Sequence, residues 1–106
     1  MMKFSEDKLQ EITQKIVKEF NPEKIILFGS RVTGRATKDS DTDLLIIKDT
    51  NTSTREVARQ IDGSIFPRPF PIDLIVYTPE QIVKAQQSGD FFILEVLNKG
   101  KVLYAR

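Results

Sequence analysis

The sequence predicts an α/β (α+β) fold, a small mixed β-sheet with helices packed mainly on one face. Three observations predict it. Apolar residues recur at helical spacing near the N-terminus, three apolar runs of strand length follow, and helix-capping signals stand between and after those runs. The 106 residues correspond to one domain, 1–106, with enough chain for one hydrophobic core.

Taken in order, Ser5 is a helix N-cap, with Glu6 and Asp7 suited to the positive end of the helix. Leu9, Ile12, Ile16, Val17 and Phe20 form one apolar stripe, which Asn21-Pro22 terminates. Lys24 to Phe28 reads as a short buried strand ended by Gly29-Ser30. The polar stretch from Arg31 to Asp39, which contains Gly34, reads as a loop with at most a helical turn. Asp41 to Ile47 is a second strand. Ser53 to Glu56 fits a capping box, and Val57, Ala58 and Ile61 continue it as a short amphipathic helix. Gly63 and the prolines at 67, 69 and 71 break the chain into an extended connection to a third strand, Ile72 to Tyr77. Thr78-Pro79-Glu80-Gln81 starts another helix, interrupted at Gly89. Asp90 caps a further one, with Gly100 past its end. Phe91, Phe92, Ile93, Leu94, Val96 and Leu97 make that last helix apolar nearly all round, which predicts burial on several sides. Lys101 to Tyr104 completes the order as an edge strand.

Composition narrows the chemistry. Sixteen Lys/Arg against fifteen Asp/Glu leave a net charge of +1, without the basic excess of a general nucleic-acid binder. No Cys is present, which excludes disulfides, thiolate zinc sites and thiol nucleophiles; no His is present, which removes the commonest general base and transition-metal ligand. Metal chemistry must therefore use oxygen ligands, which favours Mg²⁺, Mn²⁺ or Ca²⁺. No stretch approaches the roughly 20 apolar residues of a membrane span, and the polar N-terminus lacks a signal-peptide core, so a cytoplasmic domain is expected.

Against that background three carboxylates stand out. Asp41 and Asp43 are two apart at a strand entry, so they share a face with Cα atoms roughly 6.6 Å apart. Asp73 lies inside an apolar strand, where burial would demand a partner such as Arg68 or an N–H group. If the two strands are neighbours, Asp73 sits about 4.8 Å across the ladder from the first pair. Carboxylates this close repel, and a divalent cation relieves the repulsion. Gly29-Ser30 opens a loop whose backbone can approach an anion closely and whose hydroxyl can donate, and Arg31, Arg35 and Lys38 follow. An anion-binding loop beside a cation-binding cluster is what a metal–triphosphate requires.

Gly29-Ser30-Arg31-Val32-Thr33-Gly34-Arg35, followed by Ser40-Asp41-Thr42-Asp43-Leu44, resembles the signature of the minimal nucleotidyltransferases of the DNA polymerase beta-like superfamily. The resemblance runs from the first strand to the final Val-Leu-Tyr. Thr42 departs from it, since that position more often carries a bulky aliphatic. The resemblance implies a nucleotidyltransferase-like fold in which Gly29 and Ser30 hold the β- and γ-phosphates of ATP. It also implies that Asp41 and Asp43 bind two Mg²⁺ ions (or Mn²⁺), with Asp73 on the ion nearer the acceptor and able to help receive its proton. Arg31 and Arg35 would contact phosphate or face a partner.

A bare catalytic domain further resembles the antitoxins that accompany a helical HEPN-domain protein. This implies AMP transfer from ATP to a hydroxyl of that partner, with no direct nucleic-acid or membrane binding expected and a homo-oligomer left open. The alternative is a non-catalytic antitoxin or nucleotide-binding module that neutralises its partner by complex formation. The last helix, or the region of Phe66 and Phe70, offers an apolar surface for docking.

Overall fold

The computed structural model describes residues 4–37 and 40–106. Lys38, expected in the phosphate loop, lies outside the described residues. The elements are α1 (Glu6–Phe20), β1 (Lys24–Phe28), α2 (Ser30–Thr33), β2 (Thr42–Ile47), α3 (Thr54–Ser64), β3 (Ile72–Tyr77), α4 (Pro79–Ser88), α5 (Phe91–Lys99) and β4 (Lys101–Ala105). The sheet order is β3-β2-β1-β4. β1 runs antiparallel to both β2 and β4, and β2 runs parallel to β3. The mixed sheet of the α/β class expected from the sequence is therefore present.

The caps follow the residue chemistry. The Ser5 side chain accepts from the Lys8 N–H, Asp90 accepts from the Ile93 N–H, and Thr78 and Gln81 complete a reciprocal capping box at α4. Ser53 caps α3 through the Arg55 and Glu56 N–H groups, but the Glu56 carboxylate pairs with Arg59 at 2.7 Å instead of returning to the cap. Gly63 does not break α3, which continues to Ser64 before the proline-rich connection.

Helices cover both faces of the sheet rather than mainly one. Leu9, Ile12 and Ile16 of α1 and Val57 and Ile61 of α3 pack with Ile25, Leu27, Leu44, Ile46, Leu74 and Val76. On the other face, Ile82 of α4 and Ile93 and Val96 of α5 pack with Ile26, Leu45 and Ile47. The cause is visible in β2: Leu44, Leu45, Ile46 and Ile47 are all buried, and an unbroken apolar run projects alternate side chains into both layers.

Two expectations about apolar surface are corrected. Phe70 is fully buried and contacts Phe4 at 5.1 Å, whereas Phe66 is 87% exposed, so the two do not form one patch. α5 is not buried on several sides. Ile93 and Val96 face the core, Phe91 is 79% exposed, and Phe92 and Leu94 are partly so, because one helix on an outer layer meets the sheet along a single stripe. Among the described residues no helix is long and apolar enough to cross a membrane.

Candidate active site at one end of the sheet

The antiparallel β1–β2 pair brings the end of β1 to the start of β2, and the parallel β2–β3 pair brings the start of β3 beside them. Asp43 consequently stands in register between Phe28 of β1 and Asp73 of β3. Asp41 lies one residue before β2 and is exposed. Strand alternation directs Asp43 and Asp73 to the sheet face of Leu45 and Ile75, the one covered by α4 and α5. The ladder neighbourhood of Asp43 and Asp73 expected from the sequence is thus present.

Asp73 is exposed, not buried as its apolar strand suggested. β3 is an edge strand, and Asp73 sits near its beginning. Arg68 is not its partner: that guanidinium donates to the Ile72 carbonyl at 3.1 Å and pairs with Asp62. None of Asp41, Asp43 and Asp73 forms an ion pair within 4 Å with a described residue.

The carboxylates influence one another. Partial burial pushes the Asp43 carboxyl above the ordinary carboxylate range, the negative charges of Asp73 and Asp41 push it further, and Arg31 opposes them. The three do not converge into a ready-made three-ligand cage. This donor set nevertheless suits Mg²⁺, which typically takes one or two carboxylates, keeps several waters and shares substrate phosphate oxygens. Asp43 and Asp41 are the residues that would hold such an ion beside the glycine loop, with Asp73 on the far side of Asp43 from that loop.

Gly29 is confined by this arrangement. Its φ of +80° and ψ of −150° lie in a region that only glycine populates readily, and a Cβ there would collide with Oδ2 of Asp43. The chain turns directly into α2, where the Val32 and Thr33 N–H groups donate to the Gly29 carbonyl at 3.0 and 3.2 Å. The helical turn expected after Gly29-Ser30 is this one. The Ser30 hydroxyl makes no hydrogen bond to a described residue. Arg35 is exposed; its backbone N–H donates to the Ser30 carbonyl at 3.2 Å, so it closes the turn through the main chain. Arg31 points inward: it donates to Thr42 Oγ1, the Ser40 carbonyl and the Thr37 carbonyl, and lies over the Phe4 ring.

A cavity of about 250 Å³ adjoins Gly29, walled by Phe28, Val32, Thr33, Phe92 and Val96. Phe28 meets Phe92 edge-on at 5.5 Å, so α5 forms one wall beside the carboxylates. A larger groove, about 570 Å³, runs between α1 and β4, away from Asp43. Sequence reasoning missed Phe92 as part of this neighbourhood and Thr42 as the partner of Arg31. The signal for Thr42 was present, as a hydroxyl at a strand position flanked by two aspartates; Phe92 carried no local signal, because its contact spans the chain.

Solved structures share the fold, among them these three. A nucleotidyltransferase from Sulfolobus solfataricus, itself described as putative, superposes with a TM-score of 0.65 at 17% identity, covering 94% of this chain and 79% of its own. A toxin–antitoxin complex with AMP-PNP gives 0.54 at 19% identity, with 92% and 73% covered. A mutant of the toxin–antitoxin MntA-HpeT gives 0.55 at 19% identity, with 97% and 75% covered. No curated protein matches the sequence. The model of the family "Polymerase beta, Nucleotidyltransferase" matches residues 10–106. With nearly the whole chain matched and Gly29, Asp41, Asp43 and Asp73 gathered at one sheet end, the chain belongs to the polymerase beta nucleotidyltransferase family.

Proposed function

We propose that this chain transfers AMP from ATP to a hydroxyl on a partner protein, as the antitoxin of a toxin–antitoxin pair whose toxin is a helical HEPN-type protein in the cytoplasm. The observation that carries the chemistry is the Asp43–Asp73 register beside Gly29: carboxylates without a described ion-pair partner, next to a backbone too tight for any side chain. Family membership supports the transferase class, and the fold shared with two toxin–antitoxin structures supports the biological setting.

In this reading Gly29 and Ser30 would receive the β- and γ-phosphates, and Asp41 and Asp43 would hold Mg²⁺. Bound Mg²⁺ supplies electrophilic stabilisation of the phosphate oxygens and lowers the acceptor hydroxyl's pKa. Asp73, nearest the acceptor side, takes the proton as the acceptor oxygen bonds to the α-phosphorus. The bond from that phosphorus to the bridging α–β oxygen breaks, and pyrophosphate leaves. No histidine is needed, because a carboxylate serves as the proton acceptor.

The test is incubation with Mg²⁺, ATP labelled at the α-phosphate and the protein that co-purifies with this chain. Covalent label on the partner is expected, and none with Asp43→Asn. A tight, inhibitory complex that never acquires label from the wild-type chain would overturn transfer in favour of an antitoxin acting by binding alone.

A further inference from the structure

Arg31 follows Gly29-Ser30 directly, where a cation invites assignment to a phosphate. Its guanidinium instead turns into the protein. Nε–H donates to Thr42 Oγ1 at 3.2 Å, Nη2–H to the Ser40 carbonyl at 2.6 Å, and Nη1–H to the Thr37 carbonyl at 3.5 Å. The guanidinium carbon lies 4.2 Å from the centre of the Phe4 ring, and Phe4 rests on buried Phe70. This uses the planar, forked shape of arginine: a stacked face and donors spread along one edge.

What it holds is more telling than how. Ser40 and Thr42 flank Asp41, and Asp43 follows, so the contacts grip the segment that carries two of the three carboxylates. The other end of the arginine is anchored in α2, immediately after Gly29. Thr42 is 0% exposed, and its N–H is committed to the Pro71 carbonyl at 3.0 Å. Its hydroxyl is therefore a buried group that needs a partner, and Arg31 provides one. A bulky aliphatic in place of Thr42 would leave the Nε–H facing carbon.

We infer that Arg31 is a positioning residue, paired with Thr42, that fixes the Asp41–Asp43 segment relative to Gly29-Ser30 and does not bind phosphate. What those aspartates do rests on the nucleotidyl-transfer reading; the pairing itself does not. Arg31→Lys keeps the charge and loses the fork, and Thr42→Val removes the acceptor at nearly constant shape.

The full-length chain and three variants, Arg31→Lys, Thr42→Val and the double, are compared by thermal midpoint, by affinity for Mn²⁺ alone in electron paramagnetic resonance titrations, and by kcat and KM for ATP on the partner. Each single variant should weaken Mn²⁺ binding and lower kcat by about 10- to 100-fold, the range for residues that orient metal ligands. KM for ATP should stay within about twofold. The double variant should be no worse than Arg31→Lys in any readout, because both remove the same contact. A roughly tenfold rise in KM for Arg31→Lys with Thr42→Val silent would make Arg31 a phosphate ligand and overturn the inference. Fully additive effects, or lowered midpoints with Mn²⁺ affinity and kcat unchanged, would also overturn it. A wild-type chain that shows the coupling and binds Mn²⁺ but never labels its partner overturns transfer and leaves the positioning role standing; one that binds no Mn²⁺ overturns both.

Discussion

The two ends of the sheet treat their polar groups in opposite ways. Where β1 begins and β2 and β3 finish, charged groups are tied to the backbone. Lys48 Nζ donates to the Phe20 carbonyl at the end of α1 at 2.6 Å, and Arg106 donates to the Asn21 carbonyl at 2.7 Å. The Glu23 N–H donates to the Ile47 carbonyl and the Lys48 N–H to the Tyr77 carbonyl. At the other end, the charges of Asp73 and Asp41 act on Asp43, none of the three has a described ion-pair partner, and Gly29 adopts a conformation other residues resist. A cation satisfied by helix carbonyls secures a fold. Like charges held close do not, and such local conflict within a consistent fold is characteristic of functional sites.

The sharpest way to break this contrast is Asp43→Asn. On the proposed function it should abolish AMP transfer, a loss of about 10³-fold or more if the residue holds the metal. The same change should raise the thermal midpoint at neutral pH. The Asp43 carboxyl is held above its ordinary value by burial and by Asp73 and Asp41, so ionising it costs the folded state more than the unfolded one. That cost is present above the folded-state value, fades as pH falls through it, and is gone below the unfolded value of 3.8. Melting curves of both proteins from pH 7 to pH 3 should converge at the acid end. A variant less stable than wild type at pH 7 would show that the site end carries no electrostatic conflict.

Gly29→Ala should come next. The backbone conformation alone costs a non-glycine residue about 1–3 kcal/mol, and the new methyl also displaces the Asp43 carboxylate. Denaturant melts should show that loss of stability, and labelling should show transfer reduced by at least tenfold. Wild-type transfer in Gly29→Ala would mean that the carboxylate's place beside the loop is unimportant.

How much of this could be read in the residues alone depends on the range of the interaction. Caps at Ser5, Thr78 and Asp90 were legible because each is settled within four residues. The Asp41–Asp43 pair was legible through strand alternation. The exposure of Asp73 was not, because it depends on β3 being an edge strand, and strand order is a matter of which distant segments pair. Helix placement on both faces was half visible in the run from Leu44 to Ile47, but which helices fill each layer is decided by chain crossings. Arg31 was misleading for a similar reason: its position after Gly29-Ser30 suggested an anion, but its hydrogen-bond partners reach to Thr42 and its stacking partner, Phe4, lies in the N-terminal segment before α1.

At the secured end the effects should be smaller and confined to stability. Lys48→Met removes the donor to the Phe20 carbonyl at the end of α1 while keeping a side chain of similar length, and should cost about 1–2 kcal/mol, as for loss of one part-buried hydrogen bond from a charged donor. Thr78→Ala removes the side chain that accepts the Gln81 N–H just past Tyr77, and should cost about 0.5–2 kcal/mol. For a domain of this size each kcal/mol corresponds to a midpoint lower by about 4–8 °C. Transfer measured well below either midpoint should match wild type, because neither side chain reaches the end of the sheet that holds Asp43. A Thr78→Ala chain that folds normally at the assay temperature yet transfers AMP at a clearly lower rate would mean that the two ends are coupled through β3, whose last residue precedes the cap and whose second residue is Asp73. The contrast between a structural end and a reactive end would then give way to one strand that carries both.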